Sequence, residues 1–220
     1  SALDGVGQLF GHWLHENLDS RRLVLPSRIE RISLFGPFPA VGTLIGCDVR
    51  VTDIGTKSAS GDFDLLCEGR LWASIEGWED HRFDLDNRMF EVFRFPEKLA
   101  YAEEQAGGWF AARESWFAPA TRDMVARRYL NQAELAVYFQ MSGARKRDWL
   151  CGRIAAKDAI RMRLWKNGHG DIFPAELTIM NSEAGLPVVS GPSCDDLRVS
   201  IAHKKGVGVA LIGWQVSPGI

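Results

Sequence analysis

The chain opens with apolar positions at Val6, Leu9, Phe10, Trp13, Leu14 and Leu18, a helical spacing that predicts a helix over residues 4–18. Gly5, Gly7 and Gly11 fall inside it. Each glycine costs an exposed helix about 1 kcal/mol, so their presence predicts a buried helix in close backbone contact with its surroundings. The pattern then changes to period two. Ile45, Cys47, Val49 and Val51 alternate with Asp48, Arg50 and Thr52; Cys67, Gly69, Leu71, Ala73 and Ile75 alternate with Glu68, Arg70, Trp72 and Glu76. Both runs predict strands with one buried face. Gly36-Pro37-Phe38-Pro39 and the polar stretch Gly55 to Asp62 supply turns. Between residues 86 and 120 the periodicity fades among Pro96, Gly107, Gly108 and Pro119. The expected division is therefore a first domain of residues 1–105, a junction over 106–120 and a second domain of 121–220. Thr121 is placed to cap a helix with Asp123 in its first turn, Gln132 to Gln140 predicts a second, and residues 145–166 a third that ends at Asn167-Gly168. Short β-like runs follow at 177–179, 187–189, 199–202 and 207–212, so the element order predicts an α+β chain.

Composition narrows this picture. A chain of 220 residues accommodates two domains of roughly 100–200 residues each. Its 46% hydrophobic and 25% charged residues are ordinary for a globular protein, and no apolar run approaches the roughly 18 residues that cross a bilayer. No membrane partner is expected. The opening Ser1-Ala2-Leu3-Asp4 has no basic stretch followed by an apolar one, which points to the cytoplasm. Cys47, Cys67, Cys151 and Cys194 stand far apart, as free thiols rather than a zinc site or a disulfide framework. A net charge of −2 gives no broad attraction to nucleic acid. Charge does cluster locally: Arg145, Lys146, Arg147, Arg153, Lys157, Arg161, Arg163 and Lys166 face only Asp148 and Asp158 within the third helix. Arg153, Lys157 and Arg161 recur at four-residue intervals and form one stripe, readable as a solvated face or as a surface turned to phosphate.

The opening Leu3-Asp4-Gly5-Val6-Gly7-Gln8 and the later Leu25-Pro26-Ser27-Arg28-Ile29-Glu30 resemble the second hotdog of polyketide synthase dehydratases, over roughly residues 1–85. That resemblance implies an antiparallel sheet wrapped around a central helix. Removing water from a 3-hydroxyacyl thioester needs a base for the α-proton and an acid for the departing hydroxyl. Asp4 would be the acid, and Gln8, one turn on, would hold its carboxyl. The family's base comes from an HxxxGxxxxP motif in a preceding hotdog, a context in which His12, His15 and His81 do not stand. On the residues alone, Asp4 is equally a helix-capping carboxylate.

A second resemblance runs from Arg145 to Arg161, through Glu183-Ala184-Gly185-Leu186-Pro187, to Val199-Ser200-Ile201-Ala202-His203-Lys204. These segments are similar, in order, to the front half of the larger, pseudo-dimeric 4′-phosphopantetheinyl transferases, with Leu186 in place of the family's Lys and Ala202 in place of its Ser. The resemblance implies coenzyme A as substrate, an acyl carrier protein as partner and magnesium in the complete enzyme. Arg147, Arg153, Lys157, Gly185, Pro187, His203 and Lys204 would contact the nucleotide, since fixed cations suit a pyrophosphate and a 3′-phosphate. The family's metal carboxylates would follow Ile220, so no metal ligand is assigned, and the chain is expected to be a piece of a polyketide or fatty-acid synthase with little activity in either reaction. Two other readings stay open: a hotdog acyl-thioester binding or hydrolysing protein with an accessory domain, and a non-catalytic piece that docks acidic carrier proteins. Hotdog modules pair, so a homo-oligomer is expected.

Overall fold

The computed structural model describes residues 2–18, 22–83, 85–116 and 118–214. The chain forms two units, Ser1–Asp84 and Leu85–Ile220, each a mixture of helix and antiparallel sheet.

In the first unit, α1 (Ala2–Asn17) is followed by β1 (Val24–Arg28), β2 (Arg31–Leu34), β3 (Ile45–Ile54), β4 (Ser58–Cys67) and β5 (Arg70–Arg82). The sheet runs β1-β5-β4-β3, with β2 also paired to β5. Helix α1 buries one stripe, Val6, Phe10 and Leu14, against Phe63, Leu65, Ala73, Ile75 and Trp78. The expectation of a wholly buried helix needs correction: Leu9 and Trp13 are exposed, because a single sheet covers a single helix face. The glycine argument holds at two positions. A Cβ on Gly7 would stand 3.1 Å from the Trp78 ring and one on Gly11 3.3 Å from Val24, whereas Gly5 has open space. The turn expected over Gly55 to Asp62 closes early, by Gly55 N–H donating to Ser58 O at 2.9 Å, and Ser58 already begins β4. Alternation also slips after Cys67. Glu68 and Gly69 take positive φ in a hairpin turn, leaving Leu71 exposed and Trp72 buried under Phe38, its indole N–H donating to Pro37 O at 2.9 Å.

The second unit holds α2 (Asn87–Arg94), β6 (Glu103–Glu104), β7 (Trp109–Arg113), α3 (Pro119–Tyr129), α4 (Gln132–Phe139), α5 (Gly143–Lys166), a single 3-10 turn (Pro174–Glu176), β8 (Thr178–Asn181), β9 (Pro187–Ser190), β10 (Leu197–Lys204) and β11 (Val207–Trp214). The stretch 106–120, expected as a junction, lies inside this unit: Trp109–Arg113 pairs antiparallel with Val207–Leu211 in a sheet ordered β10-β11-β7-β6. Helix α3 starts two residues before Thr121, with Pro119 in its first turn and Ala118 at its cap. Proline suits that position because its missing N–H would be unpaired there anyway. Helix α5 lies along the sheet so closely that a Cβ on Gly208 would meet the Cys151 carbonyl at 2.1 Å. Only glycine fits that crossing. Among the described residues, no helix is long and apolar enough to cross a membrane.

Candidate functional site

Helix α5 carries three buried cations in a row, and their partners differ. Lys157, 0% exposed, donates to Glu134 Oε2 at 2.5 Å, Tyr129 O at 2.8 Å and Pro174 O at 3.1 Å, which uses all three of its hydrogens. Burial drives its pKa down and Glu134 opposes the fall. Arg161, also 0% exposed, pairs with Asp158 at 2.6 Å and donates to Ile172 O, Leu99 O and Pro96 O. Asp158 in turn accepts from the Tyr101 and Ala102 amides at 2.7 and 2.9 Å and from the Tyr129 hydroxyl at 3.1 Å. The reading of Arg153, Lys157 and Arg161 as one phosphate-facing surface is therefore corrected. Two of the three are spent inside the protein, tying α5 to α3, α4 and the segment around residue 100.

Arg153 is different. It is 5% exposed, yet no carboxylate stands within ion-pair distance of it among the described residues. Its guanidinium lies 4.5 Å from the Trp149 ring centroid and donates to Asn181 Oδ1 at 3.1 Å, while its Nε–H has no acceptor. Burial lowers its pKa, with Glu134 opposing from farther off. A buried cation with only neutral partners is costly, and an anion arriving beside it would offset that cost. Arg128 also has an unpaired Nε, but its guanidinium packs on Phe93 and donates to Phe93 O, and Glu97 is near enough to favour its charge.

What surrounds Arg153 belongs to the segments singled out in the sequence. The neighbouring Gly152 opens the helix surface: a Cβ there would sit 3.0 Å from both His203 Cδ2 and Ile201 Cγ2, so the exposed imidazole of β10 lies on this glycine. Asn181, which holds the guanidinium, pairs in register with Pro187, and Gly185 at φ +79 closes the same β8–β9 hairpin. Arg147 sits lower, against Asp148 at 3.1 Å and Glu114 at 3.6 Å. Asp148 fixes the β10–β11 turn by accepting from the Gly206 and Lys205 amides at 2.8 and 3.1 Å. Burial would raise the Asp148 pKa, but these amides and Arg147 outweigh it and hold it below the usual value. Lys204 is exposed at the end of β10. Arg153 thus meets, through Asn181, the β8–β9 hairpin that holds Gly185 and Pro187, while His203 packs on Gly152 of the same helix and Lys157 is buried one turn beyond Arg153. Trp149 and Asn181 were missed in the sequence. Trp149 stands one helical turn before Arg153, a spacing that predicts contact, and Gly152 inside a long helix marks a close approach. Nothing in the sequence pointed to Asn181.

In the first unit, Gln8 Nε2 donates to Asp4 Oδ2 at 3.4 Å across one turn of α1. Leu3, next to Asp4, lines an apolar groove with Ile32, Leu34, Phe38, Trp72 and Ile75. Among the described residues no group of three or more His, Cys, Asp or Glu side chains could hold a metal ion.

Comparison with known proteins bears on about two fifths of the chain. No family model matches it. It is 34% identical over 88 residues to a holo-(acyl-carrier-protein) synthase of Streptococcus sanguinis (strain SK36), covering 40% of this chain and 72% of that protein. It is 32% identical over 87 residues to the synthase of the same name from Geobacillus sp. (strain WCH70), covering 39% and 72%. A solved holo-(acyl-carrier-protein) synthase from Bacillus anthracis str. Ames, in complex with CoA (3′,5′-ADP), aligns at 26% identity and a TM-score of 0.36 over 41% of this chain and 78% of that one.

Proposed function

The chain belongs to the holo-(acyl-carrier-protein) synthase family, and from that premise we propose that its second unit binds coenzyme A and serves transfer of 4′-phosphopantetheine to an acyl carrier protein. The observation that carries this reading is the buried guanidinium of Arg153, short of a counter-ion. Coenzyme A brings a pyrophosphate and a 3′-phosphate, the anions such a cation lacks. In the transfer, the carrier serine oxygen bonds to the phosphorus that bears the pantetheine arm, and the bond from that phosphorus to the bridging oxygen breaks. Adenosine 3′,5′-bisphosphate leaves and the serine proton is released. Arg153 and His203 hold phosphate oxygens in place; Arg147 and Lys204 add positive potential along the hairpin turn; Gly185 and Pro187 shape the β8–β9 wall.

Titration of the full chain with coenzyme A by calorimetry tests the site. Binding should fall by roughly ten- to a hundredfold in Arg153→Ala, the loss of a charge-assisted bond, with a smaller fall in His203→Ala. Binding unchanged in Arg153→Ala rejects the site. Mass spectrometry of an apo carrier protein incubated with coenzyme A and the chain reads the transfer itself.

For the first unit, the reading is the acid-bearing half of a 3-hydroxyacyl dehydratase within a polyketide or fatty-acid synthase. Asp4 would be the acid, Gln8 its support, and the apolar groove beginning at Leu3 would take the acyl chain. Binding of a 3-hydroxyacyl thioester to the full chain, measured by calorimetry and weakened in Asp4→Asn, tests that reading separately from the transferase.

A further inference from the structure

The contrast among the three cations of α5 has a chemical basis. Glu134 neutralises Lys157 and Asp158 neutralises Arg161, whereas the group that meets Arg153 is an amide. Asn181 Oδ1 lies 3.1 Å from the Arg153 terminal nitrogen, where a carboxylate oxygen of an aspartate would also fit, since the two side chains share one shape. An amide oxygen fixes the direction of the guanidinium and leaves its charge in place; a carboxylate would fix the direction and cancel the charge. The amide itself is held. Asn181 ends β8, and β8 is anchored two residues earlier, where Ile179 N–H donates to Glu134 Oε1 at 3.1 Å. Glu134 is the acceptor that Lys157 of α5 also uses, and Asn131 beside it donates to Thr178 Oγ1 at 2.6 Å. Glu134 and Asn131 therefore set the register of the hairpin on α5, and through it the amide on Arg153.

We infer that Asn181 is a positioning residue that aims the Arg153 guanidinium at a bound phosphate while keeping its charge available to that ligand. This rests on the proposed anion site at Arg153. It yields an outcome that ordinary packing would not: the substitution that best satisfies Arg153 should be the one that most weakens ligand binding. Asn181 is exposed, so its variants leave the core intact.

The test compares wild type, Asn181→Asp and Asn181→Ala as full chains, titrated with coenzyme A and with inorganic pyrophosphate, beside their melting temperatures. Asn181→Asp should weaken both ligands by roughly ten- to a hundredfold while melting at or above the wild-type temperature. Asn181→Ala removes the aim and keeps the charge, and should cost roughly two- to tenfold. In the transfer assay the aspartate variant should raise KM for coenzyme A and leave kcat nearly unchanged, the signature of lost ground-state binding. Equal affinities for wild type and Asn181→Asp overturn the inference, as does an equal loss in both variants together with lowered melting temperatures. Pyrophosphate bound without coenzyme A, with the same order of variants, rejects the nucleotide reading and keeps the role of Asn181. Wild type that binds neither ligand overturns both.

Discussion

Single residues in this protein divide by what their charge does after burial. Asp80, 1% exposed on β5, accepts from the Trp78 indole N–H at 2.7 Å, and burial raises its pKa above the ordinary carboxylate value, with the Trp78 bond opposing. A carboxyl whose folded pKa is raised stabilises the fold below its unfolded pKa, near 3.9, and loses that contribution as pH climbs through the folded value. Melting of Asp80→Asn and wild type across pH 4 to 8 should therefore show the variant gaining on wild type as pH rises. The ion pair of Lys157 and Glu134 works the other way. Both are 0% exposed, so Glu134→Ala or Lys157→Ala leaves one charge buried alone, and denaturant titration should give a loss of about 3–5 kcal/mol. Arg153→Ala, in contrast, should cost less stability than ligand affinity. The basic stripe was legible in the sequence as a stripe, but not its fate. A four-residue interval puts side chains on one face and is silent on whether a second layer covers that face. Here the carboxylates of Glu134 and Asp158 turn two of the three cations inward.

At the level of elements, the helix–sheet crossing of the second unit depends on two glycines. Gly208 meets the Cys151 carbonyl and Gly152 meets Ile201 and His203, one on each side of the same contact. Gly208→Ala places a methyl against backbone that cannot step aside, and should cost about 1–3 kcal/mol or more by denaturant titration. Gly152→Ala meets side chains at 3.0 Å, so it should cost less stability while displacing the imidazole and weakening coenzyme A. Period and punctuation made most elements readable, including α1, β3, α5 and the four short strands after it. Two were misread for physical reasons. Residues 106–120 look like a linker because Gly107 and Gly108 precede so short an apolar run, yet Trp109–Arg113 is a strand made stable by β11, almost 100 residues later. The alternation after Cys67 was followed straight through Glu68 and Gly69, where the chain in fact reverses; Leu71 turns outward and Trp72 inward, while Ala73 and Ile75 are buried as the alternation predicts.

On the scale of the whole molecule, the hydrogen bonds and ion pairs around Arg153 among the described residues are made within Leu85–Ile220. A fragment of residues 85–220 should therefore bind coenzyme A as tightly as the full chain, by the same calorimetry. Within that unit, the thiol of Cys151 offers a built-in clock. It lies under the β10–β11 turn, its S–H pointing to Gly206 O at 3.4 Å, and burial pushes its pKa up to about 12, with Glu114 and Asp148 adding to the rise. Closed, it is shielded and almost wholly protonated; alkylation must wait for the hairpin to lift from the helix. The rate at which iodoacetamide consumes this sulfur would then count those excursions directly, and any molecule that clamps His203 to Arg153 should slow the count.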